Sequence, residues 1–208
     1  MKDELRNVIS GKSKVRDGTI IQAAACFLKN SAATSQVAKE SKHYKKQETK
    51  ILKDFIIQNK LWVPGINIDQ YVSEGAEQKV YLEDGKHVLK LNDGIFYNSW
   101  EDYLNNLLLH NYFFPDTSYE LTGFLEDNEK LYAVVKQLFV KATTKTNLKE
   151  VKDFLTENGF LNTRNNDYYN PEIGIILEDL HDENVLTKDN VLHFIDTVFF
   201  IEAEFYQD

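Results

Sequence analysis

The sequence predicts an α+β protein of two lobes preceded by a helical extension, and three observations carry that prediction. Helical periodicity fills the first sixty residues, the period changes to that of strands after Trp62-Val63-Pro64-Gly65, and a loop-and-hairpin unit follows a further helix near the C-terminus. The expected segments are a helical region over 1–60, an antiparallel sheet with one helix over 61–140, and a reduced second lobe with a hairpin over 141–208.

In the first segment Ile20, Ile21, Ala24, Phe27 and Leu28 recur at helical spacing, and Ile51, Leu52, Phe55 and Ile56 do so again, with no glycine or proline from residue 19 to 63. Between them lies the strongly basic run Lys39 to Lys46, which reads either as a solvated helix face or as a docking face for an acidic partner. Pro64 and Gly65 stop the helix. From Gln78 to Leu91 the chain reads as strand, tight turn at Asp84-Gly85, and strand. A helix follows with Ser99 or Asn98 as its cap, and Trp100, Tyr103, Leu104, Leu107 and Leu108 on one face. Pro115 ends it, and strands over 119–125 and 131–140 come next, joined by the polar loop Glu126 to Lys130. A helix from Asn147 to Asn158 closes at Gly159.

Composition bounds the function. The 208 residues are 42% hydrophobic and 12% aromatic, which is ample for a core. With 24 Lys+Arg against 33 Asp+Glu the net charge is −9, a field that repels nucleic acid. No apolar run is long enough to cross a membrane and the N-terminus lacks a secretory apolar stretch, so a cytoplasmic protein with no membrane partner is expected. The single cysteine, Cys26, excludes an internal disulfide and reads as a core residue.

The candidate chemistry lies in Asp179-Leu180-His181-Asp182-Glu183-Asn184-Val185-Leu186 and Phe194-Ile195-Asp196. Ile173 to Leu177 reads as a buried strand that delivers Asp179 to an exposed loop. Asn184 to Leu186 and Val191 to Ile195 read as the arms of a hairpin that returns Asp196 toward Asn184. A base candidate, an amide and a carboxylate so spaced suit phosphoryl transfer: Asp179 accepts or orients a hydroxyl proton, while Asn184 and Asp196 offer oxygen ligands to magnesium on nucleotide phosphates. Such a site needs a phosphate cover and a lysine upstream. Ser73 to Val80 stands where the cover would be, although only Gly75 fills a glycine position of GxGxxGxV. Lys90 shares a strand face with Val88 and points to the same place. For its ion-pair partner Glu101 is favoured over Asp102, because it lies about 100° round the helix from Trp100 and borders Leu108; an acid complementing the helix dipole is the other reading of Glu101. A flat adenine would meet the backbone near Gln137 to Val140, with Gln137 and Phe139 as cofactor-binding candidates.

With these residues in view the chain resembles the protein-kinase-like superfamily. Asp179 to Leu186 is similar to its catalytic loop, Phe194-Ile195-Asp196 to its metal-binding segment, and Val88-Leu89-Lys90 to its lysine strand. The Asp-Leu-His-x-x-Asn form is nearer to small-molecule phosphotransferases than to protein kinases. More narrowly, Glu74 to Leu82, Leu109 to Pro115 and Phe194 to Thr197 resemble the reduced kinase-like module of bacterial polyvalent proteins from mobile elements, over roughly residues 50 to 206. The resemblance implies a kinase-like two-lobed fold with a minimal C-terminal lobe, and ATP and magnesium as cofactors. It also departs from the pattern: Leu177-Glu178 replaces the His-Arg pair before the catalytic aspartate, and Thr197 replaces the glycine after Asp196. Regulation through that arginine is therefore not implied, and the sequence stops a dozen residues past Asp196, short of a helical platform for a peptide substrate.

The readings that follow are an ATP/Mg-dependent phosphotransferase with an unknown acceptor; a pseudokinase or interaction module that binds nucleotide or a protein partner; and an unrelated α+β domain with a fortuitous acidic turn. Gly11-Lys12-Ser13 imitates the end of a P-loop but lacks its first glycine and a preceding strand, His181 and His193 read as loop or hairpin residues before metal ligands, and no GxSxG element is present.

Overall fold

The computed structural model describes residues 1–32, 42–75 and 78–207. Lys39-Glu40-Ser41 of the basic run and Ala76-Glu77 of the loop before Gln78 lie outside the described residues.

The chain is α+β. Helix α1 (Lys2–Ile9) is followed by α2 (Thr19–Ala32) and α3 (Lys42–Gln58). Strands β1 (Tyr71–Glu74), β2 (Gln78–Leu82) and β3 (His87–Asn92) precede helix α4 (Trp100–Phe113), and β4 (Glu120–Asp127) and β5 (Lys130–Leu138) complete an antiparallel sheet of order β1-β2-β3-β5-β4. Helix α5 (Leu148–Glu157) leads to β6 (Leu161–Arg164), β7 (Asp167–Asn170), β8 (Ile175–Glu178), β9 (Val185–Lys188), β10 (Val191–Phe194) and β11 (Val198–Ile201). These form a four-stranded sheet of order β11-β8-β7-β6 and the β9-β10 hairpin. Among the described residues, no helix is long and apolar enough to cross a membrane.

Local chemistry explains most boundaries. Ser99 caps α4 by accepting from the Asp102 N–H at 2.9 Å, and Asn147 caps α5 through the Lys149 N–H. Gly159 takes φ +84 where α5 ends. In the β2–β3 turn the Asp84 carboxylate accepts from the Lys86 and His87 N–H groups, both at 2.7 Å. The expected polar loop between β4 and β5 contracts to a tight turn at Asn128 and Glu129, both left-handed, because asparagine and its neighbour adopt the mirror-image turn that matches strand twist. Gly123 on β4 sits against the 61–63 segment; an added Cβ would meet the Leu61 carbonyl at 2.4 Å.

Two apolar clusters hold these elements. Ile21, Leu28, Leu52 and Ile56 of α2 and α3 pack with Leu104 and Leu108 of α4 and with the Phe124 face of the sheet. Leu5 and Ile9 of α1 instead join Leu109, Leu155, Leu177, Val185 and Phe205. Helices α1, α2 and α3 thus divide between two cores, and Arg6 ties α1 to the Phe205 carbonyl at 2.9 Å. Helix α4, expected to bury one face, is buried on nearly every side, since α1, α2, α3 and β11 all contact it.

Candidate functional site

The β9–β10 hairpin closes through a turn at Asp189 and Asn190, and the Ile195 and Asp196 N–H groups then reach the Asn184 carbonyl at 2.9 and 3.3 Å. The hairpin so brings Asp196 beside Asn184. On the facing sheet, Lys90 pairs in register with Val80 and Val135, and its ammonium donates to the Ile195 carbonyl at 2.7 Å. The Tyr119 hydroxyl donates to the same carbonyl at 2.9 Å. Lys90, Asn184 and Asp196 therefore stand on one cavity of about 340 Å³, which Gly75, Val88, Gln137 and Phe139 also line. An added Cβ on Gly75 would meet nothing within 4 Å, so packing does not demand the glycine there.

Burial pushes the Lys90 pKa down, and the Asp196 charge opposes that fall. The Tyr119 phenol rises well above its usual value, first from burial and then from the Asp196 charge. A buried lysine keeps its proton best next to an anion, so cation, phenol and carboxylate form one coupled group.

The segment that carries Asp196 is fixed by buried hydrogen bonds on both sides. Thr117 donates its hydroxyl to the Phe194 carbonyl. His110 of α4 lies 2.8 Å from the Thr117 carbonyl through Nε2 and 2.7 Å from the Thr197 hydroxyl through Nδ1. Nε2 must be the donor, because a carbonyl only accepts, so Nδ1 accepts from Thr197. Burial holds His110 neutral, with its pKa down at about 3. The Asn106 side-chain oxygen accepts from the Phe199 N–H at 2.8 Å, and the Gln137 amide donates to the Thr117 carbonyl at 2.7 Å. Thr197, a departure in the sequence, thus has a structural partner.

Asp179 and Glu101 are placed differently. Asp179 takes φ +66 on an exposed loop, its side chain 59% accessible, and does not line the cavity. It connects to the cavity through Asn184, whose amide nitrogen donates to the Asp179 carbonyl at 2.8 Å and carboxylate at 2.9 Å. That leaves the Asn184 side-chain oxygen, on the other edge of the amide, as an acceptor that could hold a cation. The expected Lys90–Glu101 pair is not among the ion pairs of the described residues. Helix α3 overlies the start of α4, where the Glu48 carboxylate accepts from the Trp100 and Glu101 N–H groups, and the Glu101 side chain lines a second cavity instead. The residues of α4 that reach the Asp196 segment are Asn106 and His110, a turn or more along the helix.

Gln78 escaped the sequence reading. Its side-chain amide donates to the Asp196 carboxylate from the first residue of β2, where the Gly75 N–H bonds the Gln78 carbonyl at 2.9 Å. No motif marks a glutamine at that position; only the approach of the start of β2 to Asp196 reveals it. His181 bonds the Glu183 N–H within its loop and His193 lies on β10, so neither joins the cavity, and Gly11-Lys12-Ser13 is the turn that ends α1.

The oxygen donors suit a hard cation. Asn184 and Asp196 line one cavity with a lysine between them and the sheet, a set that fits magnesium and phosphate better than a transition metal. A comparison with curated proteins finds no match. A family described as a serine/threonine/tyrosine kinase found in polyvalent proteins matches residues 45–203, which span the sheet, α4, the cavity and the β9–β10 hairpin. The resemblance read from the sequence is borne out, and the chain belongs to this family of kinases found in polyvalent proteins.

Proposed function

We propose that the chain is an ATP- and magnesium-dependent phosphotransferase with a kinase-like two-lobed fold, in which residues 61–140 form the first lobe and 141–208 a minimal second lobe. The strand order β1-β2-β3-β5-β4, with α4 between β3 and β4, supports the first lobe. The observation that carries the function is the meeting of Lys90, Asn184 and Asp196 around one cavity under Gly75. A kinase family suggests nucleotide and metal use in general, and the donor set favours these two.

In this reading Lys90 holds phosphate oxygens from the sheet side, and Gly75 lets backbone approach them without a side chain between. Gln137 and Phe139 border the adenine end. Asn184 and Asp196 would hold magnesium, which supplies charge neutralisation on the phosphates. Asp179 accepts the acceptor hydroxyl's proton from the open side, and the Asn184 amide orients its carboxylate.

Two features favour the alternative, a pseudokinase or a module that binds nucleotide or protein: Gln78 engages the Asp196 carboxylate, and Asp179 lies outside the cavity. A pair of measurements separates them. ATP with magnesium raises the melting temperature in both readings, and an unmoved melting temperature defeats both. Asp179→Asn lowers γ-phosphate turnover by about a hundredfold or more if Asp179 is the base, whereas unchanged turnover leaves nucleotide binding alone.

A further inference from the structure

His181 does not line the nucleotide cavity, yet the Asp179–Asn184 loop turns around it. Its N–H donates to the Asp179 carbonyl, and its own carbonyl accepts from the Asn184 and Val185 N–H groups, each at 3.0 Å. The ring is directed by the same loop. The Glu183 N–H donates to Nδ1 at 3.2 Å, and a ring nitrogen that accepts carries no proton, so in the uncharged imidazole the proton sits on Nε2. Nε2 has two polar neighbours, the Asn184 amide nitrogen at 3.1 Å and Asp179 Oδ1 at 3.4 Å. The first is no partner, because both hydrogens of the Asn184 amide go to Asp179, one to its carbonyl and one to Oδ2. The Nε2 proton is left with Oδ1.

The Asp179 carboxylate thus has a donor beside each oxygen, Asn184 at Oδ2 and His181 at Oδ1. The backbone beneath it is anchored, since the Asp179 N–H bonds Asp167 Oδ1 at 3.1 Å. Its side-chain torsions are what remain to be set, and at 59% accessibility packing supplies little of that restraint. One donor leaves an exposed carboxylate able to turn about its Cβ–Cγ bond; two donors on different oxygens fix its plane.

We propose that His181 is a positioning residue for phosphoryl transfer, whose Nε2 proton holds Asp179 Oδ1 while Asn184 holds Oδ2, so that the free lone pairs of the carboxylate face the acceptor. The role rests on the reading of Asp179 as the base. As the acceptor oxygen bonds to the γ-phosphorus and ADP departs, the hydroxyl proton passes to Asp179. His181 keeps its own proton throughout, and its effect is one of orientation, as where a third group holds a catalytic base in line.

The test is release of inorganic phosphate from ATP and magnesium by the full chain, with water as the acceptor. His181→Asn keeps an acceptor for the Glu183 N–H but has no donor at the Nε2 position, and His181→Gln does the reverse. The asparagine variant lowers kcat about tenfold, the effect of one lost hydrogen bond to a charged group, and leaves the KM for ATP and the ATP-induced melting shift at the parent's values. The glutamine variant recovers most of the rate. Neither lowers turnover further when Asp179→Asn is already present, because the group they orient is gone. A parent without turnover, or Asp179→Asn at the parent's rate, defeats the base reading and this proposal with it. If Asp179→Asn slows turnover but His181→Asn does not, or if the glutamine variant falls as far as the asparagine one, the base stands and the role of His181 is overturned. Nitrogen-15 spectra of the uncharged ring supply a readout without activity: the proton is expected on Nε2, and a proton on Nδ1 overturns the proposal in an active or an inactive chain alike.

Discussion

Lys90 and Asp196 meet through the peptide that links Ile195 to Asp196: the Lys90 amine donates to the Ile195 carbonyl at 2.7 Å, while the carboxylate's charge opposes the fall in the Lys90 pKa that burial causes. Cation and anion are thus held by backbone, without a direct salt bridge between them among the described ion pairs.

Lys90→Met tests that arrangement. Methionine keeps most of the stem's volume, and Tyr119 still donates to the Ile195 carbonyl, so no acceptor is orphaned. The variant should melt no lower than the parent, yet show no rise in melting temperature on addition of ATP and magnesium. A rise equal to the parent's would remove Lys90 from the nucleotide site.

Gln78→Ala frees the Asp196 carboxylate from its only side-chain hydrogen bond among the described residues. The magnesium concentration that half-saturates the nucleotide-induced melting shift should fall about threefold to tenfold, the equivalent of one neutral–charged hydrogen bond. An unchanged midpoint would mean that Gln78 follows Asp196 without competing for it.

Thr197→Val removes the hydroxyl that His110 Nδ1 accepts and leaves the shape of the side chain. Urea denaturation should register a loss of about 1–3 kcal/mol for the unmet ring nitrogen. Thr197→Ser, which restores the donor, should recover most of it. Equal stability of the valine and threonine proteins would show that His110 finds another partner.

Glu48 and His110 give stability opposite slopes with pH. Burial raises the Glu48 pKa from 4.5 to about 7, helped by the charges of Glu101 and Asp102 and opposed by the Trp100 and Glu101 N–H groups. The folded state therefore keeps a proton that the unfolded chain releases, and stability falls as pH rises from 4.5 toward 7. His110 is pushed from 6.5 down to about 3 by burial, so the unfolded chain gains the proton first, and stability falls as pH drops below 6.5. The two slopes oppose each other between 4.5 and 6.5. Glu48→Gln should leave the His110 slope alone, and its urea midpoint should decline more steeply than the parent's from pH 6.5 to pH 4.5. Parallel profiles would place an ionised Glu48 in the fold.

Much of this was legible where a local signal decides the structure. Ser99, Asn147 and Gly159 mark helix ends by their own hydrogen-bonding or backbone freedom, and the Asp84 turn and β9–β10 hairpin carry their turn residues in sequence. Strands β1 and β6 were not legible, because every residue in both is exposed and neither shows apolar alternation. β7 and β11 were missed as well; four-residue strands of this kind are fixed by their pairing with β8. The Asn184–Asp196 approach follows from a hairpin, which is local. Glu101's true surroundings depend on α3 crossing α4 some fifty residues away in sequence, as Glu48 does to Trp100, and no periodicity contains that information.

Helix α4 sends Leu104 and Leu108 into one apolar cluster and the adjacent Leu109 into the other. Neighbouring residues on one rigid helix cannot be released independently, so loss of either cluster strips a side of the element on which the second is built. The consequence is cooperativity: the sheet around Lys90 and the hairpin around Asp196 should lose structure in one transition, with amides of α4 among the last to exchange with solvent.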